Sequence, residues 1–234
     1  MKNNKLVIFF GPPGSGKGTQ ASLLADKKKL FHLEASKILE EKFRKSVAGE
    51  KIKIGDKDYD FDEQKRRWKE GHLAEDGFVA FAVREKIKNM QMIEEDILLD
   101  GYPRTVEQID PIMDFFLSLY NTANILVIAL QVEKEESIRR NEKRRVCSLM
   151  RHPIINTPET ENLSICPIDG SSLEKRELDK REVIEVRLRE FEERTLPLFD
   201  YFSKQGISVS YVDGKGTVAE VFYRVLEVAE KFEL

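Results

Sequence analysis

The segment GPPGSGKGTQ, from Gly11 to Gln20, has the residue types and spacing of a phosphate-binding loop. Gly11 to Lys17 matches G-x-x-x-x-G-K, between an apolar run and a stretch with helical spacing. Glycines let backbone N–H groups converge on phosphate oxygens, and the following helix N-terminus and Lys17 add positive charge. A plain strand-to-helix turn is the weaker alternative, because a turn would not need the lysine. The residues predicted to hold phosphate are Gly14, Ser15, Gly16, Lys17, Gly18 and Thr19.

A second segment, ILLDGYPRT at 97–105, combines an acidic residue and an arginine at the end of an apolar run. Asp100 would lie at the carboxyl end of a strand, where a carboxylate can hold Mg²⁺ through water. Arg104 offers a planar guanidinium suited to phosphate. Gln108, one turn further on, can hydrogen-bond to the edge of a base. A helix N-cap or turn role for Asp100 is the alternative, and the neighbouring phosphate loop makes it the weaker one.

Strands and helices alternate along the chain and must position these residues. Apolar runs that predict buried strands occur at 5–10, 96–100, 124–130 and 207–213. Helical spacing of apolar residues occurs at 21–29, at 76–90 and from Thr217 onward. This alternation predicts an α/β fold with a parallel sheet flanked by helices.

Two regions interrupt the alternation. Residues 33–73 are helix-like and highly charged, and KIGDKDYDFDE within them predicts a turn-rich loop. Residues 146–173 contain both cysteines and a polar run, INTPETENLS. We predict that both regions are insertions on the sheet rather than separate domains.

The composition limits the classes of partner. The chain has 234 residues, a formal net charge of −3 and 41% hydrophobic residues, which fits one globular domain with insertions. Its charge gives no global attraction to nucleic acid or to an anionic membrane, so we expect neither as a partner. The apolar runs are too short to cross a bilayer, and two cysteines are too few for a disulfide scaffold. We expect a cytoplasmic protein.

The pair GPPGSGKGTQA and LLDGYPRTVEQ resembles the adenylate kinase family of nucleoside monophosphate kinases, with LAEDGFV and YVDGKGTVAEV in the expected order. The resemblance spans almost the whole chain. It implies a monomer with one domain of P-loop nucleoside triphosphate hydrolase-like fold, which transfers the γ-phosphoryl of ATP to a nucleoside monophosphate with Mg²⁺. The implied parts are a core (1–32, 74–145 and 174–234), a monophosphate-binding insertion (33–73) and a lid (146–173).

The resemblance also implies roles for several arginines. Arg140 would lie against the ATP adenine, Arg104 would hold the acceptor phosphate, and Arg144, Arg176 and Arg187 would surround the transferring phosphate. Arg140 and Arg144 are spaced i, i+4, which puts them on one helical face. A solvated basic face is the alternative for that pair taken alone. The implied catalytic residues are Lys17, Arg104, Arg144, Arg176 and Arg187.

The acceptor site departs from the family pattern. Ala35 stands where the family has a threonine, and Glu40 stands where it has an arginine. Ser36, or Arg44 one turn further on, is the candidate to replace these two side chains. AMP is favoured because Gln108 is kept, whereas UMP, CMP, a broader range and an inactive nucleotide-binding regulator stay as alternatives. The remaining residues implied for the monophosphate site are His72, Leu73, Ala74, Gly101, Tyr102, Arg104, Arg176 and Arg187.

Many bacterial relatives hold the lid together with zinc through two C-x-x-C pairs. Here the pairs read CSLM and CPID, which offer Cys147, Cys166 and Asp169 as ligands. Methionine is a poor zinc ligand. The fourth ligand would therefore be either Met150 or His152, and the sequence does not decide between them. A metal-free lid around two buried thiols is the other alternative.

Overall fold

The computed structural model describes residues 4–89 and 95–234. The strands are β1 Leu6–Phe10, β2 Phe31–Glu34, β3 Lys51–Ile54, β4 Lys57–Asp60, β5 Ile97–Asp100, β6 Ile125–Gln131, β7 Arg145–Cys147, β8 Pro153–Ile154, β9 Leu173–Glu174 and β10 Val209–Asp213. The helices are α1 Lys17–Lys28, α2 Ala35–Lys45, α3 Phe61–Lys69, α4 Asp76–Asn89, α5 Val106–Leu119, α6 Lys134–Lys143, α7 Arg181–Glu190, α8 Pro197–Lys204 and α9 Val218–Lys231. Met1–Asn3 of the predicted core and Met90 of the predicted helix lie outside the described residues.

A five-stranded sheet in the order β10-β6-β1-β5-β2 forms the centre of the molecule. All four pairings are parallel, with Leu6 opposite Ile97 on one side and Ile125 on the other. Buried residues on successive positions of β1 belong to different clusters, because Ile8 packs on one face and Phe9 on the other. Helices cover both faces, which confirms the predicted α/β class. The carboxyl ends of the strands meet at one edge, where the loop after β1 begins.

The strand predictions needed two changes. The stretch Phe31–Glu34 forms β2, although its apolar run was too short to mark a strand. The last strand, β10, was predicted to be buried, but it lies at the edge of the sheet and leaves Tyr211 52% exposed. An edge strand has one unpaired side, so it need not be apolar throughout.

Residues 33–73 contain α2, an antiparallel hairpin of β3 and β4, and α3. The turn-rich loop predicted for KIGDKDYDFDE was wrong, because this stretch completes the hairpin and begins α3. Ile52 and Ile54 pack against the main hydrophobic cluster, whereas Lys51 and Lys53, which alternate with them, are exposed. The hairpin turns at Gly55, whose φ of 61° suits glycine. Asp60 ends the hairpin and caps α3 by accepting bonds from two backbone N–H groups.

Residues 145–174 include a small antiparallel sheet in the order β8-β7-β9. Cys147, Ile154 and Cys166 form a separate hydrophobic cluster with Leu173 packed against it. This region therefore has its own core, which does not merge with the clusters around the central sheet. No helix within the described ranges combines the length and apolar character that a membrane span would need.

Candidate active site

A cavity of about 1130 Å³ opens at the carboxyl edge of the central sheet. Its walls come from the loop after β1, from α6, from α7, from the lid region and from the insertion at 33–73. Sites for one small molecule usually enclose about 300–1,000 Å³. The cavity therefore has room for more than one mononucleotide.

The loop between β1 and α1 forms the floor of this cavity. Gly14 and Gly16 have φ angles of 81° and 86°, which an L side chain rarely adopts. A Cβ at Gly14 would also meet the backbone oxygen of Ser137 at 2.6 Å. Ser15 Oγ is buried and has no hydrogen-bond partner among the described residues. The predicted residues Gly14 to Thr19 all line the cavity, with α1 beginning at Lys17.

Lys17 and Asp100 meet across the floor of the cavity. Asp100 ends β5, which pairs directly with β1, and the Lys17 ammonium forms an ion pair with its carboxylate. His32 Nε2 lies 3.6 Å from the other carboxylate oxygen. Burial by itself would raise the pKa of Asp100, but the charge of Lys17 and the contact with His32 hold that pKa well below its usual range. Asp100 is therefore an anion at neutral pH and can attract a cation.

Arg144 and Arg187 converge on one buried carboxylate, that of Asp179. Arg144 follows α6 and donates from both Nε, at 2.8 Å, and Nη2 to the two oxygens of this carboxylate. Arg187 on α7 places Nη1 3.7 Å from Asp179 and donates to the backbone oxygen of Leu178 at 3.1 Å. Leu178, next to Asp179, thus takes part in this contact through its backbone oxygen.

Arg104 and Arg176 join this pair to form a group of four guanidinium ions. Arg104 donates to the backbone oxygen of Gly101 at 3.0 Å. The backbone oxygen of Arg176 accepts from the N–H of Asp179 at 3.0 Å, but its side chain has no hydrogen bond or ion pair with any residue that the structure describes. Burial, followed by the charges of Arg144 and Arg104, lowers the pKa of Arg187 to about 9. Asp179 lies near Arg144 and Arg187, whereas the carboxylates whose charge acts on Arg104 are Asp100 and Glu190. Four guanidinium ions on the wall of one cavity form a site suited to a polyanion.

Arg140 lines the cavity from α6, next to the segment that precedes α9. Its Nε donates to Glu136 at 2.6 Å and its Nη1 donates to the backbone oxygen of Gly214 at 3.0 Å. The hydrogen bond from Arg139, opposed by burial and aided by Arg140, lowers the pKa of Glu136 to about 2. These contacts hold Arg140 against the segment that leads from β10 into α9.

Five of the residues expected at the monophosphate site do not line the cavity: Ala35, Glu40, Ala74, Tyr102 and Gln108. Ala35, Ala74 and Tyr102 are buried in the hydrophobic cluster instead. Glu40 lies on α2, and its charge helps to raise the pKa of Arg176 against the stronger lowering by burial. The charge of Glu40 therefore acts on Arg176, although Glu40 does not line the cavity.

Gln108 has both ends of its amide engaged inside the protein. Its Oε1 accepts from the backbone N–H of Arg104 at 2.8 Å, and its Nε2 donates to Asp76 at 3.1 Å. Only 1% of the residue is exposed. This corrects the expectation that its amide is free to bond to a base: here it positions the backbone of Arg104 instead.

Four further residues predicted for the acceptor site form part of the cavity wall. Ser36, His72, Leu73 and Gly101 line it, together with two residues that the sequence did not single out for this wall, Trp68 and Glu190. His72 Nδ1 lies 2.8 Å from Glu190 Oε1, which joins the insertion to α7. Trp68 also packs on Phe43, at 6.1 Å between ring centroids. In the sequence, the one feature that could have marked Trp68 as a site residue is that it is the chain's single tryptophan.

The lid region brings four ligand-type side chains together. One ligand atom from each of Cys147, His152, Cys166 and Asp169 lies within 4.8 Å of the others. His152 Nδ1 is 3.5 Å from Cys147 Sγ, 3.6 Å from Cys166 Sγ and 3.2 Å from Asp169 Oδ2. Met150 is 62% exposed and stands outside this group. Of the two open candidates for a fourth ligand, only His152 is in position.

The chain is similar to proteins of one family along almost its whole length. A sequence model of the family described as Adenylate kinase matches residues 9–207. The protein named Adenylate kinase from Methanothrix thermoacetophila is 31% identical, over 97% of this chain and 99% of its own. Those from Methanosarcina barkeri and Chlamydia abortus are 32% and 33% identical, over 97% and 96% of this chain and 99% and 97% of their own. The chain therefore belongs to the adenylate kinase family.

Proposed function

We propose that the protein catalyses the Mg²⁺-dependent, reversible transfer of the ATP γ-phosphoryl group to AMP, giving two ADP. Its family makes it an enzyme that moves phosphoryl groups between ATP and nucleoside monophosphates; the acceptor, the metals and the residue roles are the proposal. The observation that carries the proposal is the group of four arginines on the cavity wall, of which Arg144, Arg176 and Arg187 share the charge of one buried carboxylate, Asp179. Such a group is costly to bury unless a polyanion joins it.

In phosphoryl transfer, the protein mainly positions the reacting groups and neutralises their charge, and it does little covalent chemistry. In the proposed roles, the phosphate loop and Lys17 hold the β- and γ-phosphates, and Arg104 holds the acceptor phosphate. Arg144, Arg176 and Arg187 neutralise the transferring group. Asp179 keeps Arg144 and Arg187 aimed at the cavity, and closure of the lid would exclude water.

Mg²⁺ fits the floor of the cavity. Asp100 is buried and ionised, and its carboxylate adjoins the phosphate loop. Ser15 Oγ, buried without a described partner, and Thr19 are hydroxyls in the same loop. Mg²⁺ prefers oxygen ligands and keeps several waters, so Asp100 would hold it through water. When bound, the ion would neutralise charge on the ATP phosphates.

Zinc fits the four ligand atoms of the lid. Zinc bonds of about 2.0–2.3 Å place tetrahedral ligand atoms about 3.3–3.8 Å apart, close to the distances that surround His152 Nδ1. Asp169 also accepts bonds from Ser171 N and Oγ, at 3.0 and 2.7 Å, which fixes its orientation. We propose that Cys147, His152, Cys166 and Asp169 hold a structural zinc ion and that Met150 does not.

AMP is the proposed acceptor because the curated relatives bear the name Adenylate kinase. Ala35 and Glu40 do not line the cavity, so their departure from the family pattern leaves its surface intact. UMP or CMP remains the second candidate. The proposal also includes a monomer working in the cytoplasm, consistent with the acidic charge balance.

The test is ATP-dependent phosphorylation of AMP, UMP, CMP and GMP, each with and without Mg²⁺, following every diphosphate product. We expect ADP to form fastest with AMP and no turnover without the metal. A Lys17→Met variant serves as the inactive control. Faster turnover of another monophosphate would change the acceptor and keep the chemistry. Binding of nucleotides without turnover of any acceptor would overturn the proposal and favour a regulator.

A further inference from the structure

Arg151 has a backbone conformation that ordinary side chains avoid. Its φ is 61°, one of three positive values at non-glycine residues in the described chain. The left-handed region favours glycine, and arginine has no local hydrogen bond with which to offset the strain. Its own N–H donates to the Cys147 oxygen at 3.2 Å, a contact that glycine would make equally well. The local fold of the lid therefore gives no reason for an arginine at 151.

The side chain of Arg151 also lies beside like charges. Arg151 lines the same cavity as Arg144 and Arg176, on the wall that the lid supplies. Burial chiefly lowers the pKa of Arg176, and the charges of Arg144 and, to a lesser extent, Arg151 lower it further. Arg151 has one ion pair within the described residues, with Glu174 at 3.7 Å. Both partners are about half exposed, and such pairs contribute little.

A strained backbone that brings a cation toward other cations is explained by an anion that binds between them. We propose that Arg151 is a fifth phosphate-binding arginine, supplied by the lid, which contacts the phosphate chain of the nucleotides bound in the cavity. This inference rests on the proposed function for the identity of the ligand. It assigns Arg151 a contact with substrate phosphate and gives it no part in building the zinc site.

An Arg151→Gly variant separates binding from structure. Glycine accepts a φ of 61° without strain, so the variant should fold at least as well as the wild type. An Arg151→Lys variant keeps the charge and loses the planar fork. Arg181→Gln is the matched control, because Arg181 lies on α7 outside the cavity, 58% exposed and paired with Glu142.

The experiment measures the affinity of each variant for diadenosine pentaphosphate by calorimetry, with the melting temperature and the KM values for ATP and AMP. We expect Arg151→Gly to bind about tenfold more weakly, as loss of one charge-assisted hydrogen bond predicts, with no fall in melting temperature. Arg151→Lys should recover part of the affinity, and Arg181→Gln should match the wild type.

Two results would overturn the inference: wild-type affinity in Arg151→Gly, or an equal loss in Arg151→Gly and Arg151→Lys. If Arg151→Gly melts at a lower temperature than the wild type, its weaker binding no longer separates a lost contact from a disturbed fold. The Arg151→Lys variant then decides between them, because lysine restores affinity only if the contact with phosphate depends on charge. A wild-type protein that binds the pentaphosphate but turns over no acceptor would refute the proposed function, and the affinities would still test Arg151.

Discussion

Replacing Asp179 with asparagine removes the buried carboxylate that pairs with Arg144 and lies near Arg187. The change keeps the shape of the side chain and takes away its charge. Asp179 is 7% exposed; it accepts two bonds from Arg144 and lies 3.7 Å from Arg187. The oxygen of the new amide could still accept one bond, but the cations would lose their counter-ion.

The size of the effect follows from these contacts. Breaking a buried ion pair costs about 3–5 kcal/mol, and two unit charges 4 Å apart attract by about 4 kcal/mol at an effective dielectric constant of 20. The Arg144 side chain is 24% exposed, which moves the expectation to the lower end of that range. We therefore expect Asp179→Asn to lower the free energy of unfolding by about 2–4 kcal/mol.

By the same reasoning, a bound polyanion should restore part of the free energy of unfolding that the Asp179→Asn variant loses. Urea denaturation with and without diadenosine pentaphosphate measures this, because the ligand brings negative charge to Arg144 and Arg187. The stability deficit of Asp179→Asn should shrink when the ligand is bound, although kcat should fall by about 10²-fold as the arginines lose their alignment. Asp26→Asn is the control: Asp26 is exposed on α1, and its replacement should change stability by less than about 0.5 kcal/mol.

Two outcomes would refute this reasoning. A variant as stable as the wild type would mean that Asp179 does not offset the repulsion among the arginines. A deficit that stays constant, or grows, with bound pentaphosphate would mean that the carboxylate acts through packing and not through charge.

Two further predictions follow from local geometry. We expect metal analysis to find zinc in the wild type. His152→Ala should lose this zinc and melt at a lower temperature, whereas Met150→Ala should keep it; equal metal content in both variants would contradict the assignment of His152. Gly71→Ala should reduce kcat/KM for the acceptor by about 10–100-fold, because a Cβ at Gly71 would lie 2.9 Å from Val183 Cγ1 on α7 and push the insertion away. Gly55→Ala, at a similar positive φ with open space around it, is the control for Gly71→Ala and should leave acceptor kinetics near wild type.

Local sequence determined the parts of the fold whose signal is contained in a few consecutive residues. The strands β1, β5 and β6 are fully covered, so each appears as an uninterrupted apolar run. The phosphate loop is equally local, since its glycines and Lys17 act within one turn. The hairpin of β3 and β4 was missed because it is exposed and rich in lysine and aspartate, which are uncommon in strands.

Other features depend on residues that meet only after folding. Arg104, Arg144, Arg176 and Arg187 come from four separate segments, and no spacing rule brings them to the wall of one cavity. The choice of His152 over Met150 depends on how the lid folds back on itself, which brings the histidine to both cysteines. The engagement of Gln108 likewise required Asp76, 32 positions earlier in the chain.

Sequence alone thus determined the family, the phosphate loop and the strands β1, β5 and β6, because their signals are short-range patterns of burial and backbone freedom. Tertiary structure alone decided which charges face one another and which polar groups are free for a ligand. Electrostatic interactions and hydrogen bonds depend on distance in space, and distance along the chain does not predict it. The residue whose role changed most between the two descriptions is Gln108, whose amide is held inside the protein by its neighbours.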